Sequence, residues 1–299
     1  MYNESQPTYL PLVERIVVIG DVHGDISRLM ECLYGLNIIS RDMKWIAQPA
    51  NTIVVQLGDQ IDSMTRGGDP SWEVLPDIEV MLIMEQLDKI AKLGGGRVIS
   101  LLGNHEIMNV IGDYSYVSPK SRETYDNDKR TKLLKPGNKL NEILAKRNII
   151  LKIGPYLFCH GGLLPRHLDL VNNNIHMLND IVRNILNGNG SGNFMFTELF
   201  LALAIHETGI LWTREYVALS HTDPDELNEL ITDVLNRTES KAIFVGHSTM
   251  PQITPLANTR VFLMDTGLSR AYGTQQYQVL EIRTNMENGE PTYNVMTVT

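Results

Sequence analysis

The sequence predicts an α/β fold, and three observations carry that reading. Apolar runs at 16–19, 53–57, 98–102, 156–159 and 242–245 each lead into a short glycine-bearing motif. The motifs are GDVHG at 20–24, GDQID at 58–62, GNHE at 103–106, HGG at 160–162 and GHS at 246–248. Between the runs, apolar residues recur at helical spacing. Polar side chains on glycine-permitted turns, just after buried strands, converge at one edge of a sheet, where open α/β folds place their sites.

The elements follow in order. Ile26, Leu29, Met30, Leu33 and Leu36 predict a helix over 26–36. A longer helix is expected over 76–93, opened by Pro76 and stopped by Gly94-Gly95-Gly96. Residues 97–102 then read as a buried strand, and further helices are expected at 140–147 and 175–186. Asp223 is placed to cap a helix with Pro224 in its first position. Alternating residues at 277–283 and 293–298, joined by the turn-rich 285–291, predict a terminal hairpin.

Two stretches break this alternation. Residues 114–137 are polar and follow the third motif directly, and 187–193 (NGNGSGN) reads as a loop. The expected organisation is one catalytic domain over 1–299, because motifs from Asp21 to His247 must meet. Residues 1–14 are expected to be an N-terminal extension, with 114–137 and 187–215 as insertions covering the site.

Composition narrows the function. A net charge of −9 argues against nucleic acid and anionic membranes as partners, because the summed field repels phosphate backbones. No run of about 18 apolar residues is present, so no membrane span is expected. The first residues lack the basic and apolar regions of a signal peptide. Two cysteines, Cys32 and Cys159, are too few for a disulfide framework. A reducing, cytoplasmic setting is the expectation. Neither cysteine sits in a phosphate-binding loop with an arginine at the right spacing, which excludes the cysteine-dependent phosphatases.

The motif chemistry suits two divalent ions acting on a phosphate ester. Asp21 and His23 stand two apart, so both reach one ion. Asp59 is the natural bridge, since a carboxylate has two oxygens to share. Asn104, His160 and His247 complete a second ion. Such nitrogen and oxygen donors suit Mn²⁺ first, with Fe, Zn²⁺ and Mg²⁺ as alternatives.

Taken in order, these motifs resemble the metallophosphoesterases of the phosphoprotein phosphatase family. LLGNHEIMNVIGDYSYV (101–117), LWTREY (211–216), FVGHSTMPQ (244–252) and MDTGLSRAYG (264–273) are similar to the branch called Shewanella-like protein phosphatases. The resemblance spans about residues 16–273. It implies a sandwich of two mixed β-sheets flanked by α-helices, with Asp21, His23 and Asp59 on one metal and Asp59, Asn104, His160 and His247 on the other. It further implies direct attack on phosphorus by a metal-bridging hydroxide, with His105 as general acid and Asp62 orienting it. A carboxylate-held imidazolium gains acid competence and direction.

One position departs from the family pattern. Arginine usually follows the second Asp of GDxxD, but here Ser63 does, and the segment runs SMTRGG. Arg66 is expected to take the missing role through a three-residue insertion. Arg214, in LWTREY, matches a second phosphate-binding arginine, and Asn104 is also expected at the phosphate. A bidentate guanidinium suits a phosphate dianion. Trp212 is expected as core or pocket wall, and Asp265 as a turn residue supporting the metal face. His167, His176, His206 and His221 are expected to be surface or hydrogen-bonded side chains. The implied substrate is a phosphoprotein or phosphopeptide. A dinucleoside polyphosphate hydrolase and a weakly catalytic binding protein of the same fold are the alternatives.

Overall fold

The computed structural model describes residues 5–67, 76–189 and 194–298. Its strands are β1 (Tyr9–Leu10), β2 (Arg15–Ile19), β3 (Ile53–Gln56), β4 (Arg97–Ser100), β5 (Ile150–Ile153), β6 (Tyr156–Cys159), β7 (Ala242–Val245), β8 (Thr254–Leu256), β9 (Val261–Leu263), β10 (Tyr277–Thr284) and β11 (Pro291–Val298). Its helices are α1 (Ile26–Gly35), α2 (Glu79–Gly94), α3 (Asn104–Ile111), α4 (Pro119–Thr124), α5 (Asn127–Leu134), α6 (Lys139–Leu144), α7 (Pro165–Asp169), α8 (Ile175–Leu186), α9 (Phe194–Ala204), α10 (Glu215–Thr222) and α11 (Pro224–Arg237).

The strands form two mixed sheets, ordered β1-β5-β6-β7-β9-β8 and β11-β10-β2-β3-β4. Strand period places the layers. Ile16 and Val18 of β2 share one cluster with Phe158 of β6 and Phe244 of β7, so these faces of the two sheets pack together. Val17 and Ile19 point the other way, onto Leu29 and Leu33 of α1 and Leu87 of α2. Leu157, Cys159, Ile243 and Val245 face Leu178 and Ile181 of α8 and Ile231 of α11. Strands buried on both faces read as continuous apolar runs, as these do.

Several helix ends differ from expectation for local reasons. The second helix starts at Glu79 rather than 76 and closes on Gly95, whose φ of 93° makes a left-handed cap. The helix expected over 140–147 is α6, Lys139–Leu144. Asp223 caps α11 through its side chain, and Pro224 sits in the first turn. The hairpin forms, with β11 starting at Pro291. Within the first 14 residues, Tyr9 and Leu10 pair in parallel with Lys152 and Ile153. In the polar stretch 114–137, α4 and α5 are capped by Ser118 and Asp126. Residues 190–193 of the NGNGSGN loop lie outside the described residues, as does Gly68 after Arg66. Among the described residues, no helix is long and apolar enough to cross a membrane.

Candidate active site

Register delivers the motifs to one edge. β2, β3 and β4 run parallel, with Ile19 opposite Gln56 and Gln56 opposite Ser100. Asp21, Asp59 and Asn104 therefore leave the same side. In the facing sheet β6 and β7 are parallel, with Cys159 opposite Val245, which brings His160 beside His247. The turns that follow are unusual. His23, Asp59, Asp62 and His247 all have left-handed φ values, of 41°, 52°, 67° and 63°. Each costs about 1–3 kcal/mol and persists only where its surroundings hold it.

The holding contacts are identifiable. The Asp59 carbonyl accepts from Val22 N at 2.9 Å and His23 N at 3.0 Å. Glu106 Oε2 accepts from Gly103 N at 2.7 Å and Asp59 N at 2.9 Å, and its Oε1 from Gln60 N at 2.8 Å. The His247 N–H donates to both Asp21 oxygens at 3.2 Å. Two glycines make room for the carboxylates. A Cβ at Gly103 would lie 2.2 Å from Asp59 Oδ1, and one at Gly246 would lie 2.4 Å from Asp21 Oδ1.

The ring nitrogens are sorted by what they touch. His23 Nδ1 donates to Ile61 O at 3.0 Å, His160 Nδ1 to Leu57 O at 2.8 Å, and His247 Nε2 to Trp212 O at 2.8 Å. A carbonyl only accepts, so each of these nitrogens carries its proton and the other nitrogen turns toward the carboxylates. One ligand atom each of His23, Asp59 and His105 lie within 4.8 Å of one another, as do those of Asp59, His160 and His247. Asp59 belongs to both groups. Asp21 Oδ2 lies 3.9 Å from His23 Nε2, and Asn104 Oδ1 lies 2.9 Å from His160 Nε2.

This donor set fits two divalent cations. Asp21 and Asp59 are both buried. Burial, then the nearby Asp265 and Asp59, push the Asp21 carboxyl well above its usual range. Burial would raise Asp59 too, but His160 and His105 hold it well below. Against burial, Asp59 and Asp21 push the His160 ring up to about 10. Burial and His160 push His247 down to about 3. The carboxylates thus demand positive charge, and a cation meets that demand with loss of the His160 proton.

His105 sits differently. Its Nδ1 is 2.8 Å from Asp62 Oδ2, and its Nε2 is 3.8 Å from Asp59 Oδ2. Burial disfavours the charged ring, but Asp59 and Asp62 outweigh it and raise the pKa. Arg66 reaches the same pocket, with NH2 3.3 Å from His105 Nε2 and NH1 donating to Tyr272 OH at 2.7 Å. Its guanidinium lies 5.0 Å from the Tyr116 ring centre and 5.2 Å from that of Tyr272. Arg214 donates to the His247 carbonyl at 3.4 Å. The resulting cavity, about 340 Å³, is lined by these groups together with Trp212 and Thr249.

A family model described as calcineurin-like phosphoesterase matches residues 14–251. The chain belongs to that family. It is similar to Shewanella-like protein phosphatase 2 of Arabidopsis thaliana, at 25% identity over 94% of this chain and 78% of the relative. It is 30% identical to Shewanella-like protein phosphatase 1 of Plasmodium berghei, over 85% of this chain and 67% of the relative. Among solved structures, a cold-active protein-tyrosine phosphatase of a psychrophilic Shewanella superposes with a TM-score of 0.78 at 23% identity, covering 99% of this chain and 84% of that one. A protein serine/threonine phosphatase from Saccharomyces cerevisiae gives 0.57 at 14% identity, covering 99% and 85%. At these identities the structures speak to the fold, a two-sheet sandwich flanked by helices.

In this phosphoesterase the pocket gathers Asp21, His23, Asp59, Arg66, Asn104, His105, Arg214 and His247. His160 and Asp62 lie buried beside them. Sequence reasoning passed over Tyr116 and Tyr272, although both stand in the quoted stretches. It also passed over Glu106, the last letter of GNHE, whose carboxylate ties three backbone N–H groups. Asp265 supports the face through Thr249 Oγ1 and Gly267 N. His167 is buried, accepting from Leu164 N and donating to Thr208 O, and His176 bonds to Thr8. His206 and His221 are exposed.

Proposed function

We propose that this phosphoesterase is a metal-dependent phosphoprotein phosphatase. The observation that carries the reading is Asp59, shared between two groups of donors, with the His105–Asp62 pair beside it. The names of the relatives, protein phosphatases, support the substrate class.

Asp21, His23 and Asp59 would hold one ion, and Asp59, Asn104, His160 and His247 the other, with Mn²⁺ first among the candidates. When bound, such ions neutralise phosphate oxygens and lower the pKa of the water that attacks phosphorus. Arg66, Arg214 and Asn104 bind the remaining phosphate oxygens and hold the ester for in-line attack. Asp62 fixes His105 Nδ1, which leaves Nε2 to donate its proton to the departing oxygen as the P–O bond breaks. No covalent intermediate is needed. Cys159 follows this logic: it is fully buried, and burial pushes its thiol up to about 12. Segments 114–137 and 187–215 supply Tyr116, Trp212 and Arg214 to the cavity wall and so shape substrate choice. Two free cysteines fit a reducing, cytoplasmic setting.

The test is turnover by chelator-stripped protein with Mn²⁺ restored. Phosphotyrosine peptide, phosphothreonine peptide and diadenosine tetraphosphate are compared, with Asp59→Asn as control. Metal-restored release from a phosphopeptide, lost in Asp59→Asn, is the expected result. Turnover of the dinucleotide alone, or full activity of the variant, overturns the reading.

A further inference from the structure

The His105–Asp62 pair rests on a buried support that none of the five motifs contains. Asp62 Oδ1 accepts from Asn109 Nδ2 at 2.8 Å, and the Asp62 backbone N–H donates to Asp77 Oδ2 at 2.8 Å. Both partners lead to one side chain. Arg130 NH1 donates to Asn109 Oδ1 at 2.9 Å, and NH2 donates to Asp77 Oδ1 and, at 2.7 Å, to Ser121 Oγ. Arg130 belongs to α5, within the polar stretch after the third motif, and its side chain is 0% exposed.

Two physical consequences follow. First, a guanidinium only donates, so it claims the oxygen of the Asn109 amide and turns the NH₂ toward Asp62. The NH₂ also donates to the His105 carbonyl at 3.1 Å, so Arg130, Asp62 and His105 together hold the amide, and without Arg130 its oxygen loses the guanidinium donor that anchors it. Second, Asp62 and Asp77 are both 0% exposed, and they are balanced by one imidazole and one guanidinium. Removing the guanidinium leaves Asp77 without its charge partner, and Asp77 is what receives the Asp62 backbone. Ser63, standing where the family has arginine, bonds to Ser118 Oγ at 3.0 Å and so ties the start of α4 to the same loop.

We propose that Arg130 is a positioning residue for leaving-group protonation, holding Asp62 through Asn109 and Asp77 and thereby aiming His105 Nε2 into the pocket. This rests on the reading of His105 as general acid. Arg130 touches no substrate. Its contribution is to the direction of a proton donor, so it matters most where the leaving oxygen most needs a proton.

The experiment compares kcat on phenyl phosphate and 4-nitrophenyl phosphate for Mn²⁺-loaded Arg130→Met, Arg130→Lys, Asn109→Ser and His105→Gln. Nitrophenolate departs with little protonation, whereas phenol needs it. Arg130→Met is expected to lose about 10- to 100-fold on phenyl phosphate and under about 3-fold on 4-nitrophenyl phosphate, with KM within about twofold. Arg130→Lys recovers part of the loss, and Asn109→Ser shows the same selectivity. Equal losses on both substrates, or none, overturn the proposal, because a purely structural role does not distinguish leaving groups. Should Arg130→Met fail to fold, Asn109→Ser decides by the same criterion, since it keeps the Arg130–Asp77 pair. If His105→Gln is selective and the others are not, this proposal alone falls. If His105→Gln itself shows no selectivity, the general-acid reading falls and takes the proposal with it.

Discussion

Replacing Glu106 with glutamine tests how the strained turn at Asp59 is held. The change is isosteric and removes one acceptor. Glu106 Oε2 now serves Gly103 N and Asp59 N, and Oε1 serves Gln60 N. With the glutamine oxygen in the Oε2 place, its NH₂ meets the Gln60 N–H, donor against donor. The opposite flip loses two bonds, so the first is preferred. The buried Gln60 N–H then loses its acceptor, and the NH₂ facing it gains none, at residues that are both 0% exposed. That costs about 1–3 kcal/mol. For a chain of this size the melting temperature should fall by roughly 2–10 °C. Calorimetry on chelator-treated protein measures this without metal linkage masking it. Glu123→Gln, at an exposed pair with Lys120, is the control, expected within about 0.5 kcal/mol. A Mn²⁺ titration should also show weaker binding, because Asp59 at φ 52° loses a support. An unchanged melting temperature and unchanged Mn²⁺ affinity would refute the argument that Glu106 pins this turn.

Three further outcomes are expected. Gly103→Ala places a Cβ 2.2 Å from Asp59 Oδ1 and should cut turnover and Mn²⁺ retention severely, whereas Gly35→Ala meets nothing within 4 Å and should be neutral or stabilise by about 0.5–1 kcal/mol; equal activity of the two variants would contradict the packing argument. Burial pushes His167 down to about 4 from an ordinary 6.5, so its neutral form supports the fold at neutral pH, and stability is lost as pH falls from 6.5 toward 4, by up to about 3 kcal/mol. Denaturant midpoints for His167→Gln should decline less across that window than those of the parent; parallel curves would count against it. Burial pushes the Cys32 and Cys159 thiols up to about 12, so neither should react with an aromatic disulfide reagent at pH 8 until denaturant is added; fast native labelling would show that one of them is accessible.

The parts of this molecule that read clearly from sequence are those where one residue type has one use. A glycine after a buried run, paired with Asp, Asn or His, marks a strand end: Gly20-Asp21 after β2, Gly58-Asp59 after β3, Gly103-Asn104 after β4, His160-Gly161 after β6 and Gly246-His247 after β7. Asp223 before Pro224 marks a helix start for the same reason. Other parts were hidden by composition. β5, interrupted by Lys152, merges into the apolar stretch that continues past Gly154-Pro155 to Cys159. β8 is an edge strand of three residues carrying Pro255, and β9 is equally short. The stretch 114–137 looks solvated because it is rich in charge, yet Ser121 and Arg130 are fully buried. Its counter-charge, Asp77, lies on the far side of β4 and the third motif, and nothing in linear order links the two. Tyr116 and Tyr272 escaped for a related reason. An aromatic residue signals core or wall equally, and only the cavity separates the two uses.

The donor set spans both sheets, and Asp21 and His247 stand 226 positions apart. During synthesis the carboxylates emerge early, and the facing imidazoles emerge only with the second sheet. A ribosome-bound fragment that ends before β7 therefore carries Asp21, His23 and Asp59 but not the histidine that completes the opposite side. Such a fragment lacks one of the three residues grouped as Asp59, His160 and His247. The donor set is therefore assembled by its most distant pair of residues, and it cannot close until the last glycine-histidine turn has been made.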